Sequence, residues 1–162
     1  MPPEPNRNYW DSCVFLSYIN GVPDRLPTLD ALFDESADPE NDREIVTSAF
    51  TIAEVAFALH EKEQKALDAE TERKIDALWS DRYAVKLIDF HEGIARDART
   101  LIRGAVASGI TGLKPGDAVH LASARALSCA EFHTYSKDLP RFSDLTGLTI
   151  IEPYVAQGQL PV

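Results

Sequence analysis

Four acidic residues stand where a carboxylate can take part in chemistry. Asp11 follows the first predicted strand, and Glu54 lies in the helix after the second. Asp117 opens an alanine-rich helix, and Asp138 follows the strand predicted over residues 131–134. Carboxylates that converge in a cleft repel each other unless a cation balances them or some of them are protonated. Because oxygen ligands favour Mg²⁺ or Mn²⁺ over zinc, the acids predict a site for one of these ions.

A divalent ion in such a site would lower the pKa of a bound water and stabilise charge on a phosphoryl oxygen. That chemistry fits hydrolysis of a phosphodiester. The chain has 26 acidic residues, and a single acid at a helix start is more often a cap or a partner of the helix dipole. The inference therefore depends on the acids meeting at one edge of a sheet.

The elements that must bring the acids together alternate between strands and helices. Apolar runs predict a short strand ending near Asp11 and further strands over residues 44–48, 84–88, 131–134 and 148–151. This alternation predicts an α/β fold, a three-layer α/β/α sandwich with a mostly parallel central sheet. Sites in such folds lie at the carboxyl ends of the strands, near the switch in strand order.

Three helical segments are less regular in sequence. A short helix is predicted over residues 29–33, and an amphipathic helix containing Ile52, Val55 and Leu59 follows the second strand. The charged stretch over residues 61–79 is predicted to be helical and exposed, as a surface for a partner or simply as a solvated helix.

Length and composition indicate one soluble domain. The chain has 162 residues, which predicts disordered residues 1–7, a domain over 8–153 and a tail over 154–162. A net charge of −10 argues against broad nucleic-acid binding, although a local basic groove remains compatible with it. Cys13 and Cys129 fit no metal-binding spacing and predict free thiols in a reducing compartment, the cytoplasm. No apolar run is long enough for a membrane helix.

Four segments in order resemble the motifs of PIN domains. The first is an opening strand with an Asp-Ser turn, and the second is a block that carries the acid Glu54. The third and most specific is an Asp-Ala-x-His-Leu-Ala helix, and the fourth is a closing strand with an acidic loop. In this sequence they are Tyr9-Trp10-Asp11-Ser12-Cys13-Val14-Phe15, residues 46–55, Gly116-Asp117-Ala118-Val119-His120-Leu121-Ala122-Ser123-Ala124 and residues 132–139.

The resemblance implies a ribonuclease of the VapC-like toxin type, which cuts single-stranded RNA with Mg²⁺ or Mn²⁺. It further implies a homodimer that a cognate antitoxin protein holds inactive. Carried over residue by residue, Asp11, Glu54 and Asp117 become the first three metal-binding and catalytic acids, and Ser12 and Thr134 become polar positions beside the metal.

The closing motif departs from the family pattern. The fourth acid of the family falls two residues after the Thr of the closing strand, where this chain has Ser136. Either Asp138 replaces that acid after a small loop shift, or Ser136 holds a water there, or metal affinity is reduced. The last possibility supports an alternative, a catalytically weakened PIN module that binds RNA or a protein.

Basic residues provide candidate contacts to the RNA. Arg96, Arg99 and Arg103 recur at helical spacing, and Lys137 flanks the closing loop. The simpler interpretation of the arginines is a solvated helix face with Asp97 as a local partner, and Lys137 is also compatible with an ordinary loop charge. His120 is predicted to pack or hydrogen bond rather than to act as a general base.

Two other phosphate-handling folds fit less well. A phosphoacceptor receiver needs a second acid beside Asp11 and a Lys after its last strand, and a haloacid-type phosphatase needs an acid where Cys13 stands.

Overall fold

A single five-stranded sheet organises the chain, for which the computed structural model describes residues 5–156. The strand order is β3-β2-β1-β4-β5, and every neighbouring pair is parallel. This confirms the predicted α/β class and the parallel sheet. The strands are β1 (Asn6–Trp10), β2 (Arg43–Ser48), β3 (Val85–Ile88), β4 (Glu131–His133) and β5 (Thr149–Ile151).

Helices connect the strands by crossovers, as parallel pairing requires. The two long helices after β3 pack against each other, and a short 3₁₀ turn, Leu139–Phe142, precedes the last helix. In chain order the helices are α1 (Ser12–Ile19), α2 (Leu26–Ala37), α3 (Phe50–Glu54), α4 (Leu59–Gln64), α5 (Ala69–Ser80), α6 (Glu92–Ala107), α7 (Pro115–Ala126) and α8 (Ser143–Thr146).

Two hydrophobic cores lie on the two faces of the sheet. Tyr9 and Trp10 are neighbours in β1, both fully buried, and belong to different cores because successive strand residues point to opposite faces. Tyr9 packs with residues of α6 and α7, whereas Trp10 packs with residues of α1, α2 and α5. The three layers of the sandwich follow from this division.

The predicted helix after β2 is wrong, because α3 ends at Glu54 and the chain is not helical again until Leu59. Tertiary contacts override the helical spacing here. Val55 and Ala58 are fully buried, and the carboxylate of Glu61 accepts hydrogen bonds from the backbone N–H groups of Ala58 (3.1 Å) and Asp68 (2.8 Å). Residues 61–79 consequently form two helices, α4 and α5, instead of one exposed helix.

The boundaries of β1 and α2 in the structure also differ from the predicted ones. Asn6 and Arg7 belong to β1 and not to a disordered segment, since Asn6 pairs with Arg43 of β2. The helix predicted over residues 29–33 extends over the whole of α2. The rest of the predicted disorder, residues 1–4, lies outside the described residues, as do residues 157–162 of the predicted tail.

The described part of the tail returns to the sheet, because the Tyr154 hydroxyl donates a hydrogen bond to Glu131 Oε2 at 2.8 Å. Among residues 5–156, no helix combines the length and the apolar character that a membrane crossing requires.

Candidate active site

The strand order places a crevice between β1 and β4. From β1 the chain moves outward through β2 and β3, and then returns to the other side of β1 for β4 and β5. The loops leaving β1 and β4 therefore diverge at their carboxyl ends, which is where ligands bind in such sheets. Asp11 directly follows β1, and Thr134 directly follows β4.

Asp11 is held in this crevice by neutral hydrogen-bond donors. Its side chain is almost completely buried (5% exposed), and Thr134 Oγ1 donates to its Oδ2 at 2.9 Å. Ser12 Oγ donates to its Oδ1 at 3.2 Å, and Cys13 Sγ lies 3.7 Å from Oδ2. Although Asp11 is the N-cap residue of α1, its carboxylate accepts no capping bond from that helix. The carboxylate is therefore positioned for a role other than helix capping.

A buried histidine connects Glu54 to the same crevice by a hydrogen bond. His120 of α7 is 1% exposed, its Nε2 is hydrogen bonded to Glu54 Oε1, and it lies 3.8 Å from Asp11 Oδ1. Its Nδ1 lies 2.6 Å from the Tyr9 hydroxyl, which accepts a bond from the Ser48 amide. In the neutral form of His120, the Tyr9 hydroxyl donates to Nδ1 and the Nε2 proton points at Glu54.

The charge of His120 depends on its neighbours. Burial alone would lower the pKa of His120, but the hydrogen bond to Glu54 and the charges of Asp11, Glu54 and Asp117 outweigh burial and raise it. The surrounding carboxylates therefore favour the protonated form of His120 over the neutral form.

Asp117 lies in the first turn of α7, beside the other two acids. Partial burial and the negative charges of Asp11 and Glu54 raise its pKa, against the opposing effect of His120 and Lys114. A Cβ atom at Gly116 would lie 3.5 Å from Glu54 Oε2, which places the Glu54 carboxylate against the start of α7. We refer to Asp11, Glu54 and Asp117 as the inner acids.

The inner acids fit Mg²⁺ or Mn²⁺ by the chemistry of their donors. All three supply carboxylate oxygens, and a bound cation would offset the burial and the charges of Asp11 and Glu54 that raise the pKa of Asp117. Within residues 5–156, no three His, Cys, Asp or Glu side chains already stand close enough to surround an ion. Fewer than three of these carboxylates therefore stand ready to bind one ion directly, and Glu54 is hydrogen bonded to His120.

The fourth predicted acid has a different environment. The Asp138 side chain is 61% exposed and forms a bidentate pair with Arg141, at 2.7 and 3.0 Å. Ser136 connects to the site through its amide, which donates to Thr134 Oγ1 at 3.0 Å, and its hydroxyl accepts from the Asp138 amide at 3.2 Å. We call residues 135–138 the closing loop. A metal-binding role for Asp138 or Ser136 stays a prediction.

The predicted basic contacts lie on the surface. Arg96 of α6 pairs with Glu92 at 3.3 Å, and Lys137 pairs with Glu152 at 2.8 Å. Both side chains are at least three-quarters exposed, so their roles in binding RNA also stay predictions. Thr134 and Ser12, by contrast, lie directly against Asp11.

Sequence reasoning did not single out two members of the site. The sequence indicates only a buried strand at Tyr9 and a free thiol at Cys13, whereas in the structure Tyr9 supports His120 and Cys13 lies between Asp11 and Thr134. Burial and the nearby charge of Asp11 raise the pKa of Cys13 to about 11, so it remains a neutral thiol. A signal for Tyr9 existed, since a hydroxyl in a strand buried on both faces needs a polar partner.

The chain belongs to the PIN domain family, whose sequence pattern it matches over residues 9–145. That match covers the crevice, the inner acids and the closing loop. No curated protein sequence is significantly similar to this chain.

Solved structures show the same fold. The chain is similar to VapBC2 from Rickettsia felis bound to a promoter DNA fragment, at 18% identity and a TM-score of 0.61, covering 89% of this chain and 96% of that one. It is similar to Mycobacterium tuberculosis VapC20, a toxin that cleaves the sarcin-ricin loop, at 13% identity and a TM-score of 0.59, covering 83% and 93%. It also resembles FitAcB from Neisseria gonorrhoeae, at 15% identity and a TM-score of 0.58, covering 90% and 97%.

Proposed function

We propose that the protein is a metal-dependent endoribonuclease that cleaves single-stranded RNA in the cytoplasm. The observation that carries this proposal is the gathering of Asp11, Glu54 and Asp117 at the carboxyl edge of β1, on a PIN fold. The similarity in fold to VapC20, a toxin that cleaves an RNA loop, supports RNA as the substrate.

The residues of the chain have distinct tasks in this reaction. Asp11, Glu54 and Asp117 would hold Mg²⁺ or Mn²⁺, which when bound supplies a nucleophilic water of lowered pKa and stabilises charge on the phosphate. Thr134 and Ser12 fix the orientation of the Asp11 carboxylate by hydrogen bonds. His120 positions Glu54 from below and balances part of the negative charge.

Toxin–antitoxin pairing is the biological setting that we propose. Several structural neighbours are complexes of a toxin with its antitoxin, namely VapBC2, VapBC-1 and FitAB. The chain also exposes apolar side chains around α3, α4 and α5 beside a cavity of about 310 Å³ that carries Glu72 and Asp76. An apolar surface with an acidic rim suits a basic, amphipathic antitoxin segment. The exposed apolar residues are Ile52, Phe57, Leu59 and Leu67.

A homodimer forms part of the same proposal. The exposed apolar residues Ile52, Phe57 and Leu67 line one cavity together, and a cluster of this kind supports association with a protein partner. Sedimentation of the purified chain measures its oligomeric state directly.

A catalytically weakened PIN module is the second candidate. It is favoured by the pairing of Asp138 with Arg141, which leaves the fourth acid position to the neutral Ser136. In this case the crevice binds RNA or a partner without cleaving it.

Cleavage of a panel of single-stranded RNAs tests the proposal. We expect cleavage by the purified protein with Mn²⁺ or Mg²⁺, none with EDTA, and none by Asp117→Asn under any condition. Cleavage that persists in EDTA or in Asp117→Asn contradicts the inner acids as the catalytic centre. Tight RNA binding without cleavage in any metal would favour the weakened module instead.

A further inference from the structure

A second cavity, of about 380 Å³, lies between α6 and α7. Its floor is apolar because Ala98 and Val119 are buried there, and the small side chain of Ala95 leaves room above α6. Phe90, which is 45% exposed, forms one wall, and Ile102 lies in the other. The volume and the apolar lining are those of a pocket for a small flat group.

This cavity adjoins the inner acids through a row of aromatic rings. The Phe90 ring lies 5.7 Å from the Phe50 ring, which in turn lies 5.8 Å from the ring of His120. Pro115, which lines the cavity, precedes Asp117 by two residues in the first turn of α7. The cavity therefore lies next to the proposed cleavage site, through Phe90 on one side and Pro115 on the other.

Two guanidinium groups line the same cavity without an acidic partner. Arg99 and Arg103 are one helical turn apart on α6, so they lie on one face of the helix. Among residues 5–156, neither has a carboxylate oxygen within 4.0 Å, whereas Arg96 on the same helix pairs with Glu92. The two exposed arginines therefore place positive charge beside an apolar cavity, a combination that suits an anion carrying an apolar group.

A nucleotide has this combination of properties. Every base has a π face that stacks on an aromatic side chain, and its phosphates accept hydrogen bonds from guanidinium groups. We propose that this cavity binds one unstacked base of the RNA substrate against Phe90, while Arg99 and Arg103 bind the phosphates that flank it. The inference rests on the proposed function, and it assigns to this cavity the recognition of a nucleotide near the scissile bond.

Kinetics of RNA cleavage test the subsite. Because Phe90 contacts a base that does not react, we expect Phe90→Ala to raise KM about 10-fold while kcat stays within about twofold. Arg99→Gln and Arg103→Gln should raise KM and reduce the salt dependence of binding. Phe90→Leu keeps the packing against Phe50 but removes the π face, so it should resemble Phe90→Ala even if the alanine variant folds poorly.

Two matched controls lie at the opposite end of the fold. Tyr83 is 75% exposed and stands just before β3, whereas Phe90 stands just after it, so Tyr83→Ala removes an aromatic ring at the far edge. Arg125, at the end of α7, is exposed, and Arg125→Gln removes the same charge as Arg99→Gln. Both controls should leave KM unchanged.

An abasic series shows whether Phe90 and a base act as a pair. In the wild type, removing the base at one fixed position from the cleavage site should raise KM about 10-fold, and in Phe90→Ala the same removal should have no further effect. Additive losses, or a Phe90→Ala that behaves like Tyr83→Ala, would overturn the subsite while leaving the nuclease intact. So would a Phe90→Ala whose sole effect is to dissociate a dimer in sedimentation, since a second copy would then cover the cavity.

The same variants distinguish failure of the nuclease proposal from failure of the base subsite. If the wild type cleaves no RNA in any metal, the abasic series is measured by fluorescence anisotropy of labelled oligonucleotides without cleavage. Coupling between Phe90 and one base position in that assay supports the subsite, and its absence overturns it.

Discussion

The inner acids and the closing loop meet at the same crevice but hold their charges in opposite ways. Asp11 is buried, and its hydrogen-bond donors, Thr134 and Ser12, are neutral. Asp138 is exposed, and a bidentate pair with Arg141 already neutralises it. Asp11 is therefore shielded from water among neutral donors, whereas Asp138 is paired and solvated.

This difference indicates where a cation gains most. An exposed ion pair contributes little, because solvent screens both partners. Partial burial and the charges of Asp11 and Glu54 raise the pKa of Asp117, so its negative charge is unfavourable until a positive charge approaches. We therefore expect a divalent ion to bind at the inner acids rather than at Asp138. The same acids raise the pKa of His120 against the effect of burial and so favour its protonated form.

The largest expected effect separates the two regions directly. Asp11→Asn should lower Mn²⁺-dependent RNA cleavage by more than about 100-fold, because a first ligand matters more than the residues that orient it. Asp138→Asn, the matched change in the closing loop, should lower it by less than about 10-fold. The rates are measured on one RNA, with circular dichroism to verify folding. Equal losses in the two variants would end the distinction, and full activity of Asp11→Asn would remove Asp11 from the site.

Removal of His120 should cost stability as well as metal affinity. His120→Ala leaves the Tyr9 hydroxyl and Glu54 without their buried partner, and we expect a loss of about 3 kcal/mol in the free energy of unfolding at pH 7. Urea denaturation measures this loss. The exposed His60, replaced by alanine, should change stability by less than about 1 kcal/mol. A small loss in His120→Ala would show that the buried network does not stabilise the crevice.

Thermal melting sharpens the charge argument for Asp117. Since its pKa is raised in the folded protein, its proton stabilises the fold at low pH, and that stability falls as the pH rises from about 3.9 through the raised pKa. Asp117→Asn avoids this loss, so at pH 7 without metal it should melt about 2 °C above the wild type, and near pH 4 the two should converge.

Addition of metal should raise the melting temperature of the wild type relative to that of Asp117→Asn. Mg²⁺ is expected to raise the melting temperature of the wild type, by binding the folded state, and to leave Asp117→Asn nearly unchanged. A wild type that already melts higher than Asp117→Asn without metal at pH 7 would contradict the excess negative charge assigned to the inner acids.

The smallest effect concerns the closing loop. Ser136→Asp restores an acid at the fourth position of the family pattern, and we expect Mn²⁺ affinity or cleavage to rise by a few fold, on the order of 1 kcal/mol. Titration of Mn²⁺ against cleavage rate gives the apparent affinity. No change in Ser136→Asp, combined with a loss in Asp138→Asn, would assign the fourth position to Asp138.

Much of the fold was predictable because local signals agree with tertiary structure. The alternation of apolar runs with helical periods predicted all five strands and the parallel sheet. The break between α3 and α4 was not predictable, since it depends on a carboxylate, Glu61, that binds two backbone amides from its own side of the fold. A charged residue in a polar stretch gives no indication that it is buried.

The candidate site, like the fold, was predictable from the sequence only in part. The positions of Asp11 and Asp117 followed from strand ends and helix starts, which topology brings to one edge. The engagement of Glu54 with His120, and of Asp138 with Arg141, depends on side-chain rotamers and on distances between elements far apart in sequence. Such contacts leave no periodic pattern in the chain.

The central position of β1 in the sheet has a consequence for folding during synthesis. β1 is near the start of the sequence, yet one of its two partners is β4, and Asp11 and Thr134, 123 residues apart, complete the crevice together. Contacts of such long range form late, because the intervening loop must close first. Nearly the whole polypeptide must therefore have left the ribosome before the crevice exists, so the proposed nuclease would be inactive throughout its own synthesis.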